Sequence, residues 1–504
     1  MSVTFTFYGM SPIRRRVFFW LLTLTFLATT PAIVLFLMGY RYSVARGVFV
    51  YTGSISIQAN PDQNLDIRVD GKPVSAESNR INGSYHIEGI VPGKHSVSVS
   101  APGFTTWSKE ITVKSGIATE FWNILLVRTN YPQTTIASFE NGRAFFPLPQ
   151  KNKIAVLSEN DRETTVTLLN TSDNTREQVF GTAGFFLSKS APEHALRWSP
   201  RDTNSFLISL ISRDTQEEHT FLVRTDTHSA TDIKDIVKVP RPKEVKWNPN
   251  ADTLLFLSDT TLFSLPLNTP LQEAALSENI ETYDIIGNTA ITLELKTGIL
   301  YQIPLGNPAN KEQLTTAPPE GFPSARDTAF SLIAYDKTRI ALLNHESGDL
   351  FLFNRGETGE WFKRLSQDAK GLQFSDDGKK LLYWTDWEIF AFFTRKWDVQ
   401  PVRQENDSLD IGRFSNMVHG VQWTKDYEHI LFSSGNDIRT IELDDRGGRD
   451  ITTLLTLPDA PEQISGIGSK NEVLFLSSGT QLNRASTLSS ITFPESIGFF
   501  GFGR

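Results

Sequence analysis

The residues best suited to hold a metal or move a proton are the eight histidines: His86, His95, His194, His219, His228, His345, His419 and His429. His419 and His429 fall in different parts of one repeat unit. His86 and His95 lie in alternating segments with no third ligand nearby, so all four read as strand or turn histidines. The acidic pairs Asp376-Asp377 and Asp444-Asp445 occupy expected hairpin turns, where Asp is favoured because its side chain bonds nearby amides. Asp407 to Asp410 lacks the alternating ligands and closing Glu of a calcium loop. No G-x-S-x-G elbow, H-E-x-x-H helix, phosphate loop or dinucleotide fingerprint occurs. The sequence therefore assigns no catalytic, cofactor-binding or metal residue, and the expectation is a protein that is not an enzyme and needs no cofactor. Trp384, Trp387 and Trp397 could line a face for carbohydrate or peptide. Packing between repeats is the plainer reading, although Trp387 and Trp397 lie off the main aromatic position.

Positioning any of these groups falls to a chain of 504 residues, enough for two or three domains. It contains no cysteine, which removes disulfides, thiolate metal sites and thiol nucleophiles together. Residues 1 to 50 hold Arg14, Arg15, Arg16, Arg41 and Arg46 and no acid. They contribute +5 and leave −13 for the rest of a chain whose net charge is −8. An acidic body argues against nucleic acid as a partner.

Val17 to Gly39 carries no charge. As a helix it would be roughly 34 Å long at about 1.5 Å per residue, enough for a hydrocarbon core of about 30 Å. Arg14-Arg15-Arg16 before it and Arg41 and Arg46 after it favour a cytoplasmic N-terminus, residues 1–16, with the body outside. Ser43-Val44-Ala45 offers a signal-peptide cleavage site. The apolar run exceeds the roughly 7–15 residues of a signal h-region, which favours a retained single span at 17–39. Pro31 and the threonines at 23, 25, 29 and 30 could mark a helix-packing face, but a passive span explains them as well.

From residue 53 to about 127 apolar residues alternate, the mark of half-buried strands. Asp66-Ile67-Arg68-Val69 runs into Asp70-Gly71, a strong signal for a hairpin turn with positive φ at both central residues. Val91-Pro92-Gly93-Lys94-His95, Ala101-Pro102-Gly103-Phe104 and Ile111-Thr112-Val113-Lys114-Ser115-Gly116 follow. About six short strands predict a small β-sandwich. In these motifs, with Val69-Asp70-Gly71-Lys72, the segment resembles the PEGA domain, with Ala-Pro-Gly-Phe in place of Pro-Glu-Gly-Ala. The resemblance implies an extracellular, non-catalytic spacer or adhesion-type module.

From about 130 to 504 the chain repeats. Leu196-Arg197-Trp198-Ser199-Pro200 is echoed by Val245-Lys246-Trp247-Asn248-Pro249, by Leu372-Gln373-Phe374-Ser375-Asp376-Asp377-Gly378-Lys379 and by Val421-Gln422-Trp423-Thr424-Lys425-Asp426. Trp198 and Trp247 are 49 residues apart, as are Phe374 and Trp423. The 127 residues between Trp247 and Phe374 divide into three units of about 42. Weaker copies lie at Ile154–Leu157, Asn288–Pro304, Arg339–Phe353 and Glu472–Leu476. Such a period, with several strands per unit, predicts a β-propeller of seven or eight blades whose aromatics fill the wedge between blades. The repeat is similar to the WD-like propeller repeat of Tol-system type. Phe493 to Arg504 could cover or close the ring.

The whole chain thus reads as an all-β protein on one N-terminal transmembrane helix: a PEGA-like sandwich at 53–127, then a propeller at 130–504. The function expected is that of a membrane-anchored, extracytoplasmic binding or scaffold protein of a bacterial cell envelope. A protein or cell-wall polymer would bind on the propeller face, at residues the sequence does not identify. The competing expectation is an envelope enzyme with a site in the propeller channel.

Overall fold

The computed structural model describes residues 12–43, 47–61, 64–74, 77–78, 83–148, 152–188, 195–267, 272–323, 330–465, 472–478 and 485–493. Residues 1–11, the Val44-Ala45 cleavage position, Arg46, His194 and the tail from 494 lie outside them. The chain divides into two compact units whose main boundary falls between Leu126 and Val127.

The first unit opens with an α-helix, Pro12–Leu37, long and apolar enough to cross a membrane. Proline suits its first position, because that N–H has no intrahelical partner anyway. Gly39, at φ 86°, ends it by turning the chain through the left-handed region. The hydroxyls of Thr23, Thr25 and Thr29 donate to the carbonyls of Phe19, Leu21 and Thr25, each at 2.8 Å, so they are satisfied within the helix. A two-stranded ribbon, Tyr40–Ser43 with Val48–Tyr51, follows directly.

Two four-stranded sheets then form the expected sandwich. One orders Ala118–Leu125, Gly53–Asn60, Tyr85–Ile90 and Glu77–Ser78; the other orders Lys72–Pro73, Asp66–Val69, Gly93–Ser100 and Trp107–Val113. Their inward residues, among them Ile55, Ile57, Val69, Val97, Trp107, Ile111 and Phe121, make one core. Asp70 and Gly71 have φ of 52° and 74°, as the hairpin requires. The Asp70 carboxylate accepts the Ser96 N–H at 3.0 Å and lies 2.8 Å from His95 Nδ1, whose Nε2 lies 2.6 Å from the Val91 carbonyl. The hydrogen bond from His95 holds this carboxyl below its usual range. His95 is therefore a clasp between two turns.

In the second unit the described strands form eight antiparallel sheets in chain order, which sets the blade number at eight. The hydrophobic clusters sit between successive blades. One joins Leu382, Ala391 and Ile411 of the sixth to Val421, Trp423 and Phe432 of the seventh. The eighth blade takes Pro461–Ser465, Glu472–Ser477 and Ala485–Thr492 from the end of the chain and Thr134–Glu140 from the beginning. Phe139 and Leu488 of that blade pack with Phe145 and Val156 of the first.

The repeated motif explains itself in hydrogen bonds. The residue after each aromatic (Ser199, Asn248, Ser375, Thr424) is buried, and its N–H donates across the coming turn to Ser205, Thr253, Lys380 and His429 at 2.9–3.0 Å. Its side chain bonds inside the same turn, as Asn248 Oδ1 does with the N–H groups of Asp252 and Thr253. The tryptophans face backwards. Trp247 donates its indole N–H to the Arg197 carbonyl at 3.2 Å, and Trp423 donates to the Gln373 carbonyl at 3.2 Å. Gln373 also accepts the Trp423 N–H at 3.0 Å. The same device recurs where the ring meets itself: Gln463 accepts the Phe145 N–H at 2.8 Å and donates to the Phe145 carbonyl at 3.0 Å. Gln463→Ala leaves both backbone groups of Phe145 unpaired, so it should lower stability by about 1–3 kcal/mol. Urea unfolding followed by tryptophan fluorescence checks this, and an unchanged midpoint would show that Gln463 does not brace the closure.

Candidate binding faces of the propeller

In a four-stranded antiparallel blade, the turn from second to third strand and the connection to the next blade leave at one end. The other two turns leave at the opposite end. Each end offers a face, and both are best described at the sixth and seventh blades.

At the first end Trp387 sits in the tight turn between Lys380–Trp384 and Glu388–Phe393. The Thr385 hydroxyl accepts the N–H groups of Trp387 and Glu388 at 3.2 and 3.0 Å. The connection Phe414–Met417 lies alongside, with Phe414 donating to the Trp387 carbonyl and Val418 to that of Asp386, both at 2.8 Å. Trp387 is 39% exposed and Met417 is 44% exposed, on two segments bonded to each other. Ion pairs border them: Arg413 with Glu388 at 3.0 Å and Lys370 with Asp386 at 3.6 Å.

At the opposite end the sixth and seventh blades share a buried ionic group. Lys380, 1% exposed, donates to the Tyr427 carbonyl at 2.7 Å, pairs with Glu428 and lies 3.8 Å from the Trp397 ring centre. Glu428 in turn neighbours Asp426 and His429, whose Nδ1 lies 2.9 Å from Asp426 Oδ2. Burial outweighs the attraction of Lys380 and pushes the Glu428 carboxyl up to about 7. Burial opposes charge on His429, yet the Asp426 carboxylate beside it raises its pKa overall. The Asp426 carboxyl stays below its usual range despite burial, because His429 and the hydroxyl of Thr424 bind the charged form.

Charges on the inner strands act as braces. Lys246 of the third blade donates to the Tyr283 carbonyl at 2.6 Å and to Asp284 of the fourth at 3.1 Å. Asp284 accepts the Ala334 N–H of the fifth at 3.0 Å. Burial pushes the phenol of Tyr283 up, and its hydroxyl lies 2.6 Å from the carbonyls of Glu244 and Leu255.

The residues singled out in the sequence are distributed as follows. His419 pairs with Ser433, and His429 lies four positions away along that neighbouring strand, roughly 13 Å at about 3.3 Å per residue, so the two are not brought together. Asp377 accepts the Ser375 hydroxyl and the Lys379 N–H, and Asp407 accepts the Gln404 N–H; both act as turn residues. Asp445 pairs with Arg403 at 2.8 Å. Among the described residues no three His, Asp or Glu converge as metal ligands. Trp384 packs in the core between the sixth and seventh blades, Trp397 covers Lys380, and only Trp387 stands exposed. The Lys380–Glu428 pair had no cue in a single sequence, since 48 residues separate its members.

Residues 52–129 match the model of the PEGA domain. No curated protein matches the chain. Among solved structures, the chain is similar to the Dos1 propeller, with 12% identity and a TM-score of 0.46, covering 73% of this chain and 96% of that one. A eukaryotic initiation factor gives 12% identity and a TM-score of 0.45, covering 75% and 92%. The β-propeller domain of Cps50 (Swd1) from Myceliophteria thermophila gives 10% identity and a TM-score of 0.38, covering 72% and 100%.

The ionic group makes stability depend on pH with a definite sign. Between the ordinary Glu value of 4.5 and about 7, folded Glu428 keeps a proton that the unfolded chain releases, so stability falls as pH rises through that window. His429, raised above 6.5, acts in the same direction: its contribution is complete below 6.5 and fades as pH rises through its folded value. Glu428→Gln should therefore flatten the decline in urea midpoint from pH 5 to 8. Lys380→Met should cost roughly 3–5 kcal/mol at pH 8, where Glu428 without its partner must take up a proton or stay charged and unpaired, and much less at pH 5, where it is already protonated. Equal losses at both pH values would contradict the pairing.

Proposed function

We propose that the chain is a membrane-anchored binding or scaffold protein of a bacterial cell envelope. Its Pro12–Leu37 helix crosses the membrane once and keeps the β domains on the extracytoplasmic side. Arg14, Arg15 and Arg16 before the span, against Arg41 and Arg46 after it, support that direction. A partner protein or cell-wall polymer docks on the propeller face that carries Trp387 and Met417.

The observation that carries this reading is the exposure of an aromatic and a thioether on a backbone-bonded platform, bordered by paired charges. A large side chain fixed in a tight turn loses little freedom on binding, and Trp and Met are enriched at the centres of interfaces. Neither side chain belongs to the core cluster of the sixth and seventh blades, so their loss should leave the fold intact.

Trp387→Ala with Met417→Ala should leave a cooperative unfolding transition in place, at a cost of about 1–3 kcal/mol for the apolar surface the two side chains still bury. It should abolish a partner that the detergent-solubilised parent chain retains in affinity purification read by mass spectrometry. Equal retention by both proteins would remove this face as the docking site, and polysaccharide retained in place of protein would exclude the scaffold role. Orientation is tested separately. Because the chain has no cysteine, Lys72→Cys is a unique target for a membrane-impermeant maleimide. Labelling of intact cells, once any outer barrier is opened, is the expected result; labelling only after lysis would reverse the topology.

A further inference from the structure

The ribbon that follows the helix carries four aromatic rings on one face. Tyr40 pairs with Tyr51 and Tyr42 with Phe49, and partners in an antiparallel register share a face, as do residues two apart. The rings touch in pairs, with centres 5.3 Å apart for Tyr40 and Tyr51 and 5.5 Å apart for Tyr42 and Phe49. Yet Tyr42 is 55%, Phe49 47% and Tyr51 46% exposed. A two-stranded ribbon is marginally stable in water by itself, and this one leaves three of its four rings about half exposed, with Val48 on the opposite face 53% exposed.

Its position is fixed by the helix end. Arg41, on the opposite face, donates to the carbonyls of Phe36 and Tyr40 at 2.9 and 3.1 Å, and its guanidinium lies 3.6 Å from the Phe36 ring centre. The Thr52 N–H and hydroxyl both donate to the Gly39 carbonyl, at 3.0 and 2.6 Å. The Tyr51 ring fits against Gly39 and Gly116, where a Cβ would come within 3.0 and 2.7 Å of it, and Ser115 donates to the Tyr51 carbonyl at 2.7 Å. The aromatic face is thus held at the end of an apolar helix, where a span of that length would leave the hydrocarbon.

We propose that this face lies in the phospholipid headgroup layer, as an aromatic float that sets the depth of the anchor and holds the sandwich at the bilayer surface. The inference rests on the helix being a membrane span. Tyrosine matches such a layer because its ring is apolar and its hydroxyl seeks water or headgroup oxygens. The continuity of the ribbon with the apolar helix selects lipid over a protein partner.

The cysteine-free chain allows unique spin labels. The full-length protein would be reconstituted in phosphatidylcholine–phosphatidylglycerol vesicles with single cysteines at Tyr42, Phe49, Val48, Val34 or Lys72. Collision with oxygen would be compared with collision with a water-soluble nickel chelate. Labels at 42 and 49 should show an oxygen-to-nickel ratio several-fold above that at Lys72 and below that at Val34, while 48, on the opposite face, should resemble Lys72. Circular dichroism melts identify variants that fail to fold, and the two aromatic positions report independently. If 42 and 49 match Lys72 while Val34 is in hydrocarbon, the float is overturned and the anchor stands. Protection of 42 and 49 from both reagents marks a protein contact and overturns it too. An aqueous Val34 removes the anchor itself, and the float with it.

Discussion

A four-stranded sheet has two faces to bury, and no blade of this propeller can cover both alone. The clusters of buried side chains lie between blades, so each interface depends on the next and the ring cannot tolerate an end. The chain meets that constraint by returning Thr134–Glu140 to the outer edge of the last blade, so the final sheet is built from both ends of the domain. Gln463 then repeats, against Phe145, the amide bridge that Gln373 makes to Trp423. Closure therefore uses the same contact as an ordinary interface.

This constraint also decides what the polar side chains can do. Lys246 and Asp284 tie neighbouring inner strands, Lys380 and Glu428 tie neighbouring turns, and Asp377 and Asn248 hold hairpins. Residues spent on bracing are held by their partners and are poorly placed to meet a ligand. Trp387 and Met417 are different, since they project from a braced turn and connection while contributing little to the core. A rigid ring that displays a few apolar groups suits recognition by shape.

Much of this was legible in the sequence because it repeats. The Trp-Ser-Pro and Trp-Asn-Pro motifs marked inner strands and their turns, and alternation with Asp70-Gly71 marked the sandwich. The number of blades stayed open between seven and eight because the first, fourth, fifth and eighth blades carry no such motif: their inner strands, Gly142–Pro147, Ile280–Ile286, Phe330–Asp336 and Pro461–Ser465, are told from other strands only by pairing. The first strand of the eighth blade's outer edge was illegible for a similar reason. Its partner, Ala485–Thr492, lies at the far end of the chain, and loop closure over that distance leaves no local signal. The ribbon at Tyr40–Tyr51 was hidden behind the stronger apolar signal before it. Among the three unassigned tryptophans, solvent exposure singles out Trp387, and exposure depends on packing that no spacing reports.

The central proposal is that the end of the propeller bearing Trp387 and Met417 is where the protein meets its partner. Placing a photo-crosslinking amino acid in living cells at Trp387, at Met417 and, for comparison, at Val402 on the opposite end tests it most directly. The account predicts one discrete adduct from 387 and 417 and none from 402. Adducts from 402 alone, or equally from all three positions, would contradict it.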